Sequence, residues 1–373
     1  MNKTCTYCVM DSTDPEIQFD NQGRCNHCRR AKATFLKEPF CLTPGEKRKR
    51  LDKLVEEIKW TGRKKPYDCI IGVSGGVDST YVAYMVKVMG LRPLAVHLDN
   101  GWNSRLAVTN IEITLKKLGI DLYTHVIDWE EFRDLQLSFL KASTPDSEIP
   151  SDHAIFTLLY QSAAREGLRY VVTGMNHSTE SIMPQSWSHG HWDWKYINNV
   201  HRKFGTVPFK TFPYMTYLQR LYYESILKIR WISLLDYLDY KKENAINILE
   251  QKLGWTCYGG KHRESVYTRF YQTYILPKKF GYDKRKGHLS SLIVSGQITR
   301  EHALEELNKL PCDPASLREE KEYVLNKLDL TDSQFDEILA KPPKKFADYS
   351  SYETNPFYRM LNRGTWLTFG EES

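Results

Sequence analysis

The chain has 373 residues, 41% of them hydrophobic and 26% charged. That length predicts about 2.5 domains at roughly 150 residues each, and the composition excludes a disordered chain, a collagen-like chain and a small disulfide scaffold. The net charge of +6 points to an anionic partner, which nucleic acid, a nucleotide or a charged sugar would satisfy.

No run approaches the roughly 18 apolar residues of a spanning helix. Met1-Asn2-Lys3-Thr4-Cys5 lacks the apolar stretch of a signal peptide. A cytoplasmic protein with no membrane partner is expected, where disulfides are rare. The eight cysteines then need another role.

The amino-terminal segment carries Cys5-x2-Cys8 and, after 16 residues, Cys25-x2-Cys28. This is the paired-knuckle spacing of a structural zinc site. Each turn aims two thiolates at one metal, and two turns complete a tetrahedron. Asp20-Asn21-Gln22-Gly23 between them is a turn signal that lets short strands fold back. So small a segment has little core, and Zn²⁺ would supply its folding energy. His27 is expected beside the site, because four thiolates already close the shell. An iron–sulfur cluster is the remaining alternative; a redox Cys-x2-Cys needs no second copy. Cys41, Cys69, Cys257 and Cys312 are scattered, and Cys69 sits in an apolar run that reads as core. None stands in the Gly-x-Cys-x-Gly setting of a glutaminase nucleophile, and residue 2 is not a cysteine.

A basic linker (Lys47 to Arg50, Arg63 to Lys65) leads to Asp68-Cys69-Ile70-Ile71-Gly72-Val73, a buried-strand pattern. Ser74-Gly75-Gly76-Val77-Asp78-Ser79 follows, then a helical run from Thr80 to Met89 that Gly90 stops. Strand, glycine-rich turn and helix start together make an anion site, because backbone amides point outward and the helix dipole favours negative charge. Two glycines let the backbone approach a phosphate closely. Ser74 and Ser79 add hydroxyl donors, and Asp78 can hold Mg²⁺ or orient the loop. The pattern is neither Gly-x4-Gly-Lys-Ser/Thr nor Gly-x-Gly-x2-Gly, so P-loop kinases and dinucleotide enzymes lose support. It resembles the PP-loop of ATP pyrophosphatases, whose loop grips the pyrophosphate of ATP while the α-phosphate is attacked. That resemblance implies ATP against Val73, Ser74, Gly75, Gly76, Val77, Asp78 and Ser79, with Leu98, Asp99 and Gly174 nearby.

Pro93 to Leu98 reads as a second strand, Ser104 to Leu118 as a helix stopped by Gly119, and Leu122 to Ile127 as a third strand. A helix starting near Ser151 or Asp152 runs to Gly167, and Tyr170 to Thr173 makes a fourth strand. The alternation predicts an α/β fold with a doubly wound parallel sheet. Ligands bind outside the carboxyl ends of such strands, where the loops 74–79, 97–102 and 173–180 fall.

Residues 201–300 carry 18 Lys/Arg against 7 Asp/Glu, a net of +11, which leaves −5 for the rest. The excess lies among aromatics rather than in a terminal tail, so it reads either as a solvated basic face or as an anion-binding substrate region. Beyond it, short helices are expected over 300–309, about 315–328 and 332–340. Thr331 and Gln334 form a capping box for the last, and Pro342-Pro343 ends it. The tail from Phe346 has no clear periodicity.

Several blocks together resemble the N-acetyl sugar amidotransferases of bacterial surface-polysaccharide and nonulosonate biosynthesis. They are Cys5-Thr6-Tyr7-Cys8-Val9-Met10-Asp11 with Cys25-Asn26-His27-Cys28, the Ser74–Ser79 loop, His97 to Trp102, and Gly174-Met175-Asn176 through Thr179-Glu180. Tyr258-Gly259-Gly260-Lys261-His262-Arg263-Glu264-Ser265 and Leu276-Pro277-Lys278-Lys279-Phe280 to Arg285 complete the set. The resemblance spans about residues 5–310. It implies that an acetamido group of a nucleotide-linked sugar becomes acetamidino, in lipopolysaccharide O-antigen or related biosynthesis. ATP adenylylates the amide oxygen, and ammonia attacks the imidate carbon and releases AMP. A separate glutaminase would supply the ammonia.

Candidate catalytic residues are Asp78, Lys261, His262 and Glu264. Candidate substrate contacts are Asn100, Asn176, Thr179, Glu180, Arg269, Lys278, Lys279 and Arg285. Trp187, Trp192, Trp194 and Tyr258 suit stacking, but core packing is the better expectation for each. The expected organisation is a zinc-ribbon-like segment (1–42), a basic linker or helix (43–65), and an ATP-binding domain (66–210). A basic substrate-binding region (211–310) and a helical tail (311–373) follow. The runner-up is a PP-loop tRNA thiolation enzyme. Sulfur transfer needs a reactive cysteine or a cluster near ATP, and only isolated cysteines remain here. The localised charge favours a nucleotide sugar over nucleic acid. A non-catalytic zinc-ribbon and nucleotide-binding module stands third.

Overall fold

The computed structural model describes residues 3–258 and 264–355. Five parallel strands form its sheet in the order β3-β2-β1-β4-β5. They are β1 (Cys69–Gly72), β2 (Pro93–Asp99), β3 (Asp121–Val126), β4 (Tyr170–Thr173) and β5 (Arg230–Ser233). Helices α1 (Asn26–Phe35) and α2 (Pro44–Gly62) precede the sheet. Between the strands run α3 (Val77–Val88), α4 (Arg105–Leu118), α5 (Trp129–Ala142) and α6 (Ile149–Arg165). After β4 come α7 (His177–Glu180), α8 (Trp194–Phe204) and α9 (Tyr217–Leu221), the last running into a π-helical turn, Tyr222–Ile226. The doubly wound α/β sheet expected from the alternation is present.

Both faces of the central strands β1, β2 and β4 are covered, which is why these read as largely apolar runs. Successive side chains point to opposite faces. Ile70, Leu94, Val96 and Val171 therefore enter a core with Phe132, Leu135 and Phe139 of α5 and Leu158 of α6. Cys69, Ile71, Ala95 and Val172 enter the opposite core with Ile58 of α2, Val82 of α3 and Ile111 of α4. Cys69 is wholly buried, as expected of a small hydrophobe.

Two boundaries differ from the sequence reading. Helix α3 starts at Val77, so the end of the glycine-rich turn is already its first turn. Helix α6 starts at Ile149, with Pro150 at its first turn, where a proline's missing N–H costs nothing. Strand β5 was not expected. It is four residues long, and it follows an irregular turn with Lys228 at φ 56°.

Past the sheet lie α10 (Lys242–Leu253), α11 (Val266–Phe270), a π-helical stretch (Tyr271–Phe280) and α12 (Arg285–Val294). The expected carboxyl-terminal helices are α13 (Arg300–Asn308), α14 (Pro314–Leu328) and α15 (Asp332–Ala340). Both bonds of the Thr331–Gln334 capping box form. The tail packs inward as far as it is described: the Tyr349 hydroxyl donates to the Ala142 carbonyl at 2.8 Å.

Candidate functional site

The strand order reverses between β1 and β4, and the loop after each strand opens into one cleft. A switch point of this kind leaves a crevice between diverging connections. The cleft holds about 530 Å³. Of the expected site residues, Val73, Ser74, Gly76, Val77, Asp78, Ser79, Leu98, Asn100, Gly174, Glu180 and Glu264 line it.

The loop 74–79 leads into a helix start that no side chain caps. Gly75 has φ 83°, a conformation that disfavours side chains. The N-cap of α3 is Gly76, and no side chain caps that helix. Its first amides are therefore left for an anion. Ser74 and Ser79 bridge the turn through their hydroxyls at 3.1 Å. The Gly75 carbonyl is held from behind by Trp255 Nε1 at 2.8 Å and the Tyr258 hydroxyl at 3.0 Å. The Asp78 carboxylate accepts a hydrogen bond from the buried Tyr240 hydroxyl. Burial and the Asp78 charge push the Tyr240 phenol well above its ordinary range, so it stays a donor.

Gly174 brings the second wall against the first. A Cβ there would lie 2.8 Å from the Asp78 carbonyl carbon and the Ser79 nitrogen. Asn176 shapes this wall rather than facing the cleft: its Oδ1 accepts from the Thr179 amide at 2.9 Å, and its Nδ2 donates to the Gly174 carbonyl at 3.0 Å. Thr179 is buried. Asp99 likewise braces its own loop, accepting from the Gly101 amide at 2.9 Å. Asn100 reaches across to the Ser151 hydroxyl at 3.1 Å.

Residues 264–266 lie along the loop after β2. The Ser104 amide donates to the Glu264 carbonyl at 2.7 Å, and the Val266 amide to the Trp102 carbonyl at 2.9 Å. The Glu264 carboxylate thereby reaches the phosphate loop, where a Cβ on Gly76 would meet its Oε1 at 2.1 Å. Lys261 and His262 lie outside the described residues.

The other basic candidates are not brought to the cleft. Arg269 pairs with Glu320 of α14 at 2.5 Å. Lys278 donates to the Tyr274 hydroxyl at 2.9 Å, and Lys279 to the Ser143 hydroxyl at 2.9 Å. Arg285 pairs with Asp283 at 2.8 Å and donates to the Lys309 carbonyl at 2.9 Å. Much of the +11 of residues 201–300 thus joins separate elements. Among the described residues, Lys242 is the one Lys or Arg in the lining.

Sequence reasoning missed Tyr240, Lys242, Trp255, Glu148 and Asp152, and it placed Tyr258 in the core. No motif marked them, because they come from segments far apart in the chain. Cys257 also lines the cleft, so one of the scattered cysteines does stand near the phosphate loop. Trp187, by contrast, is wholly buried, as core packing required.

The four knuckle cysteines converge. All are buried, and their sulfurs lie within 4.8 Å of one another. Cys5 and Cys28 sulfurs are 3.9 Å apart, Cys8 and Cys25 3.7 Å. A tetrahedron with Zn–S bonds of about 2.3 Å has edges of about 3.8 Å, so the set fits zinc. Backbone amides point at the sulfurs, for example Cys25 N to Cys5 Sγ at 3.2 Å. His27 is a neighbour, its Nε2 2.6 Å from Asp14. The turn at Asp20–Gly23 forms, with isolated bridges Thr4–Asp11 and Phe19–Cys25 rather than extended strands. Arg300 ties the knuckle to the body by donating to the Cys8 and Cys5 carbonyls, both at 3.1 Å.

Comparison with known proteins gives partial matches. Residues 264–363 match the family model of the LPS biosynthesis protein WbpG-like, C-terminal domain. A GMP synthase [glutamine-hydrolyzing] of Pyrobaculum aerophilum is 41% identical over 73 residues, 19% of this chain and 14% of that protein. The tRNA-specific 2-thiouridylase MnmA of Clostridioides difficile is 30% identical over 123 residues, 28% of this chain and 34% of that protein. The matches thus span about a seventh and a third of those relatives. Among solved structures, the NMN synthetase of Francisella tularensis aligns with 61% of this chain and 91% of its own, at 16% identity and a TM-score of 0.30.

Proposed function

We propose that this chain is a PP-loop ATP pyrophosphatase and acts as an ATP-dependent N-acetyl sugar amidotransferase. It would convert an acetamido group of a nucleotide-linked sugar to an acetamidino group, in lipopolysaccharide O-antigen or related surface-polysaccharide biosynthesis. One observation carries the reading. The start of the segment that resembles an LPS-biosynthesis domain, at Glu264–Thr268, forms a wall of the same cleft as the phosphate loop.

Amides are poor electrophiles, so the oxygen must first become a leaving group. The amide oxygen attacks the α-phosphorus of ATP, and pyrophosphate leaves. The Val77 amide at the uncapped start of α3, with the hydroxyls of Ser74 and Ser79, suits the charge developing on that pyrophosphate. Asp78, oriented by Tyr240, would hold Mg²⁺, which supplies charge neutralisation at the phosphates. Lys242 adds a cation on the same wall. Ammonia then attacks the imidate carbon, and AMP departs. A separate glutaminase is the proposed ammonia source, and Lys261, His262 and Glu264 are the proposed catalytic groups beside Asp78.

The test is to incubate the protein with ATP, Mg²⁺, an ammonium salt and a UDP-linked diacetamido sugar. AMP should form together with a sugar whose oxygen is replaced by NH, read by mass spectrometry. The second reading, tRNA thiolation, is favoured by the likeness to the thiouridylase and by Cys257 in the lining. AMP that forms only with tRNA and a sulfur donor, and that Cys257→Ser abolishes, would replace the sugar reading.

A further inference from the structure

The cleft is also lined by carboxylates that the mechanism above does not use. Glu148 is the N-cap of α6, and Asp152 lies one turn on, so the two share a face. Both line the cleft beside Ser151, Tyr267 and Thr268. They belong to a mixed network. Lys284 Nζ is 3.8 Å from Glu148 Oε2. His191 Nε2 is 3.3 Å from Asp152 and 3.6 Å from Asp146. Ser188 bonds Asp146 and sits 3.0 Å from His191, and Gln272 donates to Glu148 at 3.1 Å.

Every large substrate proposed for this cleft is anionic: ATP, pyrophosphate and a nucleotide-linked sugar. A carboxylate pair would repel all of them. It matches instead the two species of the proposed reaction that carry positive charge on nitrogen. Ammonium is the main form of the nucleophile in neutral water, and an amidine product is an amidinium cation.

We infer that Glu148 and Asp152 form the nitrogen subsite of the reaction, binding ammonium, with Asp152 taking its proton, and later holding the amidinium product. This rests on the amidotransferase reading. Proton transfer leaves neutral ammonia and a protonated Asp152. The ammonia lone pair forms the new C–N bond at the imidate carbon. One N–H proton passes to the sugar-bound nitrogen. The C–O bond then breaks with its electrons leaving on AMP, which gives the amidinium. Asp152 returns its proton to water.

The surroundings suit Asp152 to this exchange. Its side chain lines the cleft, is 43% exposed, and is otherwise enclosed by protein. That enclosure raises its pKa to about 7, with Asp146 and Glu148 adding to the rise and His191 and Lys284 opposing it. A base matched to neutral pH transfers protons most effectively.

The experiment uses the full chain with ATP, Mg²⁺ and a UDP-linked diacetamido sugar. Sugar-dependent exchange of labelled pyrophosphate into ATP reports adenylylation alone, and amidine formation is measured against ammonium and against hydroxylamine, which is neutral at neutral pH. Asp152→Asn should keep pyrophosphate exchange, lose about 10²-fold in kcat/KM for ammonium, and retain turnover with hydroxylamine. Glu148→Gln should raise the KM for ammonium and leave the KM for ATP unchanged. An Asp152→Asn enzyme with wild-type ammonium kinetics overturns the inference. So does one that loses exchange, because the carboxylate would then serve ATP or the sugar. Absence of exchange in the wild type refutes the amidotransferase reading itself.

Discussion

Gly174→Ala tests whether the first turn of α3 is the phosphate site. Gly174 follows β4 directly, and the added Cβ would sit 2.8 Å from both the Asp78 carbonyl carbon and the Ser79 nitrogen. Ordinary contact begins at 3.4 Å, so the two backbones must part by about 0.6 Å. Neither atom can swing away, since both belong to the main chain of α3. Forced overpacking of this kind costs about 1–3 kcal/mol. The same displacement carries the loop amides off their ligand, and a 1 Å misplacement is worth about 10²-fold. We therefore expect a non-hydrolysable ATP analogue to bind about 10- to 10²-fold more weakly by calorimetry, with a modest fall in melting temperature. Gly45→Ala is the control, because a Cβ there meets nothing within 4 Å. A Gly174→Ala protein that melts earlier but binds the analogue with wild-type affinity would refute the assignment of phosphates to this loop.

Other expectations follow from single contacts. Purified protein should hold about one zinc per chain, and a Cys5→Ser/Cys25→Ser variant should lose it and melt earlier; full metal content in that variant rejects the site. Tyr240→Phe removes the hydroxyl that orients Asp78. It should weaken Mg-dependent ATP binding by about 1.5–3 kcal/mol, read as a shifted Mg²⁺ titration. Acid unfolding should be governed in part by Asp134, which accepts from the Thr206 and Val207 amides at 2.9 and 3.1 Å. Burial opposes ionisation there, but these amides and His201 together hold its pKa below the ordinary value. A depressed carboxylate stabilises the fold above its unfolded pKa and loses that contribution as pH falls through the folded one. Asp134→Asn should therefore flatten the acid limb of the stability profile, measured by denaturant titration below pH 5.

What could be read from the sequence was what is local in it. The phosphate loop is contiguous, its glycines and serines stand in one turn, and three of the five strands, β1, β2 and β4, are largely apolar runs with clear stops. The knuckle was legible because spacing alone brings each thiolate pair to one point. The cleft walls were not, because side chains distant in sequence make them. Glu148, Lys242 and Tyr258 meet only after α6, α10 and the segment before α11 dock on the sheet. The basic excess misled for a related reason. Composition counts Arg269 and Arg285 as free charge, whereas Glu320 and Asp283 partner them in the fold.

The same long-range docking gives the knuckle a role beyond its own folding. Val9 packs its amide on the Ser290 hydroxyl of α12 at 3.3 Å, and Lys286 of α12 pairs with Asp11 at 2.5 Å. Helix α12 in turn supports the wall after β4: Ser291 accepts from the Ile182 amide at 2.9 Å, and Ser295 donates to the Ser178 carbonyl at 2.8 Å. Lys284, at the start of α12, reaches Glu148. Two cleft walls therefore rest on one helix that the cysteine cluster braces. Removing zinc should then weaken ATP binding as well as lower stability, although no knuckle residue among the described ones lines the cleft. A zinc-stripped protein that stays folded and binds the ATP analogue normally would confine the knuckle to a local part in folding.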